Sequence, residues 1–264
     1  MNQPLAYIHP EAKIAQNVVV EPFSVISKDV EIGEGTWIGS NVTIMEGARI
    51  GKNCKIFPGA VISAIPQDLK FAGEYTTVEI GDNTTIRECV TINRGTTDKY
   101  KTVVGANCLI MAYVHIAHDC ILGDSVILAN CVQLAGHISV GDHVFIGGTS
   151  AVHQFVKIGN HAMIAGGSLV RKDVPPFAKA AREPISYAGV NSIGLRRRGF
   201  TNEKIAEIQE LYRILYLKGL NNSEAMNKIE LELEATTERD EVLNFIRSSE
   251  RGIIKSGTIK NDLF

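Results

Sequence analysis

Aliphatic residues recur every six positions along this chain, and that period excludes most ways of folding it. In steps of six from Ile8 to Val170, 25 of 28 positions are Ile, Leu or Val, with Asp68, Glu74 and Asp98 as the exceptions, a regularity chance does not supply. An α-helix cannot keep positions six apart on one face. Simple strand alternation would not demand a second, smaller residue four places after each aliphatic, as at Val18, Ser24, Val30, Thr36, Val42 and Cys54. Gly often follows the aliphatic directly, as at Gly33, Gly51, Gly105, Gly123 and Gly141. A three-sided parallel coil satisfies all three observations. Each hexad is a short strand plus a corner, the aliphatic points inward, the small residue packs beside it, and glycine relieves the bend. Three hexads close one coil, so residues 18 apart stack at about 4.8 Å, and the repeat builds a prism on the order of 40 Å long.

Two stretches break the pattern, 64–77 and 98–103, and both are expected to be loops extruded from corners, where function concentrates. The first carries Asp68 and Lys70, the second Lys99, Tyr100 and Lys101. After Asp173-Val174-Pro175-Pro176 the repeat stops. The expected organisation is a β-helix over 1–185 and a helical part over 186–264. Helices are expected from Thr201 to a stop at Gly219, over 223–235 with Ser223 as cap, and over 237–249.

The formal charge of −2 hides a split. Residues 151–200 carry 8 basic and 2 acidic side chains, whereas 1–150 carry 10 and 15. Such a window suits a phosphate-bearing ligand or an acidic protein, and a solvated face is the plainer reading of it. The five cysteines form no CxxC pair and are read as small inward hydrophobes. The first ten residues lack a basic region followed by an apolar one, and no run approaches the roughly 18 apolar residues of a spanning helix. A reducing cytoplasm, no integral membrane segment and no nucleic-acid partner are expected.

Five of the seven histidines fall within 115–153. The segment AYVHIAHDC offers His115, His118 and Asp119, and stacking by 18 puts Gly136 above His118, Gln154 above Gly136 and His137 above Asp119. His153 lies beside Gln154. An imidazole next to a carboxylate is a candidate general base, because the carboxylate fixes the tautomer and stabilises the imidazolium. A glycine one rung above leaves its N–H open to a developing oxyanion. No serine elbow is present, so direct transfer to an acceptor hydroxyl is the simpler mechanism. A zinc site built from histidines of neighbouring strands is the competing reading. It is disfavoured because strand alternation should turn His115 and His118 to opposite faces, so neither a metal nor another cofactor is expected.

The segments IPQDLKFAGE (65–74), TINRGT (91–96), HIAHDC (115–120), LAGHISV (134–140), AVHQFVKIG (151–159) and VNSIGLRRRGF (190–200) together resemble the UDP-N-acetylglucosamine acyltransferases. The resemblance implies a left-handed winding and a homotrimer with active sites between neighbours. It also implies the first step of lipid A biosynthesis, in which a 3-hydroxyacyl group moves from acyl carrier protein to the glucosamine 3-hydroxyl of UDP-N-acetylglucosamine. On the same basis His118 matches the general base, Asp119 its orienting partner and Gly136 the oxyanion donor. Asp68 and Lys70 match sugar-contacting positions, with His115 and His137 near the sugar and diphosphate. Gln154, with His153 beside it, Asn191 and Arg198 match the nucleotide side, and Arg197 a contact to the donor's phosphopantetheine. Asn93 and Ile193 depart from residues some members carry. A later N-acyltransferase of the pathway, a coenzyme A-dependent acetyltransferase and a non-enzymatic scaffold are the alternatives.

The resemblance places the floor of the acyl pocket at Gly166, flanked by Met163. A glycine leaves the channel long, and each methylene adds about 0.8 kcal/mol only where there is room. A donor-length series is therefore expected to peak at about fourteen carbons or more, and an optimum near ten would remove Gly166 as the open floor.

Overall fold

The computed structural model describes residues 4–257, and within them the hexads wind into a left-handed parallel β-helix. From Tyr7–Ile8 to Leu169–Val170 the strands are two to four residues long, and every third strand joins the same sheet. The first sheet includes His115–Ile116 and Gln133–Leu134, the second Ile121–Leu122 and Ser139–Val140, the third Ile127–Leu128 and Met163–Ile164. Ile26 pairs with Ile44 and Ile116 with Leu134, the expected step of 18.

Packing explains this register. Ile26, Ile38, Ile44, Ile56, Ile110 and Ile116 are wholly buried, as are their small neighbours Val42, Ala60 and Cys120. Where the small residue is polar, its hydroxyl is satisfied by the next corner. Ser24 donates to the Gly39 carbonyl at 2.7 Å and Thr36 to that of Gly51 at 2.9 Å.

The bend itself is made elsewhere than expected. It falls three residues after each aliphatic, in left-handed backbone at Asn17, Asp29, Asn41, Asn53, Asn83 and Asn107, residue types that tolerate φ near 55°. The glycines after the aliphatics have no such φ and serve close approach between coils. A Cβ on Gly33 would lie 2.6 Å from the Gly51 carbonyl carbon, and one on Gly81 would lie 2.5 Å from the Ala106 nitrogen.

The interruptions preserve the phase because they are whole hexads. Ile62 pairs with Ile92 and Ile92 with Ile116, steps of 30 and 24 in place of 18. The first loop lies between Val61–Ala64 and Thr77–Ile80, close to expectation. The second runs over 94–100 and not over 98–103, because Lys101–Val104 is a strand that alternates exposed and buried residues and pairs with Thr77–Ile80 along its whole length. Both loops leave the edge where the first sheet passes into the second.

The inward reading of the cysteines holds for Cys54, Cys108 and Cys120. Burial pushes the Cys108 thiol up to about 11 and the Cys120 thiol up to about 12. Cys89 and Cys131 are exposed, since they occupy left-handed corner positions.

Past the prolines, Ala178–Ala181 extends the third sheet in parallel, and Ser186–Val190 folds back on it antiparallel. Helix α1 (Ser192–Arg197) follows, a short element with no apolar period and Leu195 as its buried residue, so it escaped the sequence reading. Helix α2 (Asn202–Leu217) is capped by Thr201 as expected, and α4 spans Thr237–Arg247. Helix α3 covers Asn222–Glu232, and its cap is Asn221 in place of Ser223. The Asn221 side chain accepts the Glu224 N–H while the Glu224 carboxylate accepts the Asn221 N–H. Ile205, Ile208, Leu211 and Leu215 of α2 are buried, and the Tyr212 hydroxyl donates to the Pro176 carbonyl, fastening the helices to the end of the prism. No helix among the described residues is long and apolar enough to cross a membrane.

The interior ladder carries the stability of this fold. Ile110→Ala, at a site with no solvent exposure, is expected to cost about 2–5 kcal/mol, read as a lowered urea midpoint. Leu109→Ala, one residue away on the partly exposed outer surface, is expected to cost less than half of that.

Candidate active site

Three residues separate the strand His115–Ile116 from the next inward position, Cys120, and they carry the chain around an edge. Asp119 takes the left-handed corner conformation, φ 59°, and His137 and Phe155 take it one and two coils further along. The 18-residue stack is realised: the His137 amide donates to the His118 carbonyl at 3.0 Å and the Phe155 amide to that of Gly136 at 3.2 Å. The rings follow, with His118 edge-on to His137 at a centroid distance of 4.9 Å and His137 stacked on Phe155 at 4.5 Å.

The His118 Nδ1 lies 2.8 Å from the Asp119 Oδ2. Asp119 is fully buried, and burial alone would raise its pKa. Hydrogen bonds from the Thr96 hydroxyl, His118 and the Thr96 and Lys99 amides outweigh it and hold the carboxyl below its ordinary value. An anionic Asp119 accepts and does not donate, so His118 Nδ1 carries the proton and Nε2 is left with a free lone pair. That nitrogen faces Gly136. A Cβ on residue 136 would lie 2.6 Å from the His118 Cε1 and 2.8 Å from Nε2, so glycine is what admits the imidazole. Among the described residues the Gly136 N–H has no hydrogen-bond partner.

His137 Nδ1 bonds the Asp98 carboxylate at 2.9 Å and stands 3.9 Å from the Asp119 Oδ2. His115 Nδ1 pairs with the Thr91 hydroxyl at 2.7 Å, and burial followed by the charge of His118 lowers its pKa. His115 and His118 are not turned to opposite faces, because the strand ends at Ile116 and both imidazoles lie outside an interior made by Val114, Ile116 and Cys120. The directions of His115 and His118 therefore do not by themselves exclude a metal. His118, Asp119 and His137 offer ligand atoms within 4.8 Å of one another. Both Asp119 oxygens are already taken by Thr96, Lys99 and His118, and the His137 Nδ1 by Asp98, so the donor set fits a proton relay better than a cation.

The remaining expected site residues lie around the prism. Asp68 and Lys70 sit in the 65–76 loop on the same edge, where the Asp68 carboxylate accepts the Lys70 amide at 3.0 Å. Asn93 anchors that loop by donating to the Ile65 carbonyl at 3.2 Å, a structural task. His153 and Gln154 are exposed two coils above His118, with the His153 Nδ1 3.1 Å from the Gln154 carbonyl oxygen. Asn191 and Arg198 lie on the next edge. Asn191 caps α1 and donates to the His161 carbonyl at 2.9 Å, and Arg198 donates to that of His143 at 3.0 Å. Arg197 is exposed and Ile193 projects into solvent. Met163 lies on the third sheet and Gly166 is exposed on the third edge, beside Gly148. One copy of the chain thus assembles His118, Asp119, Gly136 and His137 on one edge, with Asp68, Lys70, His153 and Gln154 along that same edge, and leaves Asn191 and Arg198 on the second edge and Gly166 on the third. Thr96, Asp98 and Lys99 also join this cluster, and the sequence reading had given them no role in it. The signs of them were Thr96 inside TINRGT, Asp98 as a broken hexad and Lys99 in the second interruption.

A model of the family described as UDP N-acetylglucosamine O-acyltransferase, domain 2, matches residues 173–254. Models of the bacterial transferase hexapeptide match 29–64 and 101–136, and the hexapeptide repeat of succinyl-transferase matches 137–172. The chain is 54% identical over 254 residues to an acyl-[acyl-carrier-protein]–UDP-N-acetylglucosamine O-acyltransferase of Trichlorobacter lovleyi, covering 95% of this chain and 97% of that one. It is 44% identical to the enzyme of the same name from Thiobacillus denitrificans, over 96% and 98% of the two chains. The crystal structure of a UDP-N-acetylglucosamine acyltransferase from Bacteroides fragilis superposes with a TM-score of 0.95 at 53% identity, covering 97% of this chain and all of that one.

The buried carboxylate has a pH signature. Its pKa is lower in the folded chain than the unfolded value of about 3.9, so its stabilising contribution is complete above that value and is lost as pH falls through the folded pKa. The stability advantage of the wild type over Asp119→Asn is expected to be large near pH 7 and to shrink by about pH 3, read from urea midpoints at the two conditions.

Proposed function

Because the chain belongs to the UDP-N-acetylglucosamine acyltransferase family, we propose that His118 is the general base that moves a 3-hydroxyacyl chain from acyl carrier protein to UDP-N-acetylglucosamine. The acceptor is the glucosamine 3-hydroxyl, and the reaction opens lipid A biosynthesis. The observation that carries the assignment of the base is the His118–Asp119 pair at 2.8 Å with its free nitrogen turned toward an open glycine amide.

The chemistry follows from that geometry. The His118 Nε2 accepts the proton of the glucosamine 3-hydroxyl as its oxygen attacks the thioester carbonyl. Asp119 stabilises the imidazolium that forms, and its burial keeps the interaction unscreened. The tetrahedral oxyanion accepts the Gly136 N–H, a donor that needs no reorganisation because it is held by the stacked coils. On collapse the carbon–sulfur bond breaks, and the imidazolium returns its proton to the phosphopantetheine thiolate. No covalent acyl-enzyme is required.

Substrate contacts follow the resemblance. Asp68, Lys70, His115 and His137 serve the sugar and diphosphate, His153, Gln154, Asn191 and Arg198 the nucleotide, and Arg197 the donor's phosphopantetheine arm. Met163 and Gly166 line the acyl channel. These groups occupy three edges of one prism, which is why a homotrimer is part of the proposal, with neighbouring copies bringing one edge against another. The outer surface of the third sheet supports it, since Leu109, Ile127, Phe145 and Met163 form a continuous apolar column there. A cytoplasmic setting suits reduced cysteines and an acyl carrier protein donor.

His118→Ala is expected to lower kcat by at least about a hundredfold with UDP-N-acetylglucosamine and 3-hydroxyacyl carrier protein, and normal turnover would remove it as base. Gly136→Ala is expected to lose activity on a similar scale while remaining folded, because its methyl displaces the imidazole.

A further inference from the structure

We propose that the 94–100 loop exists to hold Asp119, and that Thr96 is a positioning residue acting on acyl transfer through Asp119 and His118. The inference rests on the assignment of His118 as base and goes beyond it.

An anionic carboxylate with no solvent exposure is untenable unless donors replace its water. His118 supplies one such bond, and the loop supplies the others. The Thr96 amide donates to Oδ1 at 3.0 Å, the Lys99 amide to the same oxygen at 3.1 Å and the Thr96 hydroxyl to Oδ2 at 2.6 Å. The Lys99 ammonium donates to the Asp119 carbonyl at 3.0 Å, tying the loop to the backbone of the same residue. Oδ2 is therefore shared among the Thr96 hydroxyl, the more distant Thr96 amide at 3.2 Å and His118 Nδ1, and the hydroxyl, the shortest of these contacts, decides how the lone pair facing the imidazole is aimed.

An uninterrupted hexad would carry the chain past this corner without any of these donors. The insertion leaves the prism on the edge that carries His118, one coil before it. The site thus has a mount made by a segment outside the repeat, and the Thr96 hydroxyl is the loop's donor to the carboxylate that a side-chain change can remove.

The titratable groups around His118 are Asp119, His137 at 4.9 Å between rings, His115 on the same coil, and Asp98 and Lys99 on the loop. None but Asp119 bonds its Nδ1. Removing the Thr96 hydroxyl takes a competing donor from Oδ2, so the carboxylate gives more of its charge to the imidazolium and the proton is held more tightly. A base that holds its proton more tightly is active only at higher pH.

The test uses the purified full chain with UDP-N-acetylglucosamine and 3-hydroxyacyl carrier protein. Thr96→Val is expected to lower kcat at least about tenfold, leave KM for UDP-N-acetylglucosamine within about twofold, and move the acidic limb of the kcat/KM profile upward. Thr96→Ser, which keeps the hydroxyl, is expected to restore kcat to within about threefold and the limb to its wild-type place. If Thr96→Val does not fold, Thr96→Ala carries the same expectations, with thermal unfolding as the check. Wild-type kcat and pH profile in the hydroxyl-free variants would overturn the proposal, as would a serine variant no better than valine, or a loss confined to KM. His118→Ala in the same assay separates the two readings. An inactive His118→Ala beside a normal Thr96→Val defeats the loop's role alone, whereas an active His118→Ala defeats both.

Discussion

The structure depends on one constraint: inward aliphatic side chains must superpose at the spacing of a single strand. Ile, Leu and Val meet it because their branched bodies fill the prism without polar atoms, and because each coil covers the ladder of the coil before it. The same spacing dictates the outside. Residues that follow an inward aliphatic by the same number of positions form columns along an edge, so a chemical site can be written as a column. Asp119, His137 and Phe155 are one such column, and His118, Gly136 and Gln154 the adjacent one.

Close stacking also explains why glycine is chosen where it is. Where glycine follows an aliphatic, the next coil's backbone stands where a Cβ would go, as between Gly33 and Gly51. Gly136 obeys the same logic with a different neighbour, the His118 ring. A device that lets coils approach is reused to seat an imidazole under an open amide. The bend, by contrast, is made in left-handed backbone, often by Asn or Asp, which adopt it most readily, and where the site needs Asp119 at that position the corner and the carboxylate coincide.

Whatever depended on the repeat was legible in the sequence. The sheet register, the buried ladder, the position of Gly136 over His118 and the pairing of Asp119 with His137 all follow from a period of six and a closure of 18. What depended on segments outside the repeat was not. The 94–100 loop was displaced toward its C-terminal end because Lys101–Val104 looked aperiodic by hexads while alternating as a strand. Its donors to Asp119 come mainly from backbone amides, which no residue type advertises. Helix α1 is too short for a period, whereas the cap of α3 is legible, since Asn221 with Glu224 three residues on is a capping-box pattern that outweighs the hydroxyl of Ser223. The supposed opposition of His115 and His118 failed because alternation ends where a two-residue strand ends.

The prism also limits what one copy can do. Its three edges are held apart by a packed interior, so a side chain on one edge cannot swing to another without unwinding a coil. His118 and the 65–76 loop share an edge, Arg198 and Asn191 occupy the next, and Gly166 the third. On the proposed reading, a substrate with a sugar, a diphosphate, a nucleotide and a long acyl donor must touch all of these groups. A rigid scaffold of this kind meets that demand by placing a second copy's edge against its own, and the apolar column Leu109, Ile127, Phe145 and Met163 on an outer face is what a closed, symmetric arrangement of such copies would bury.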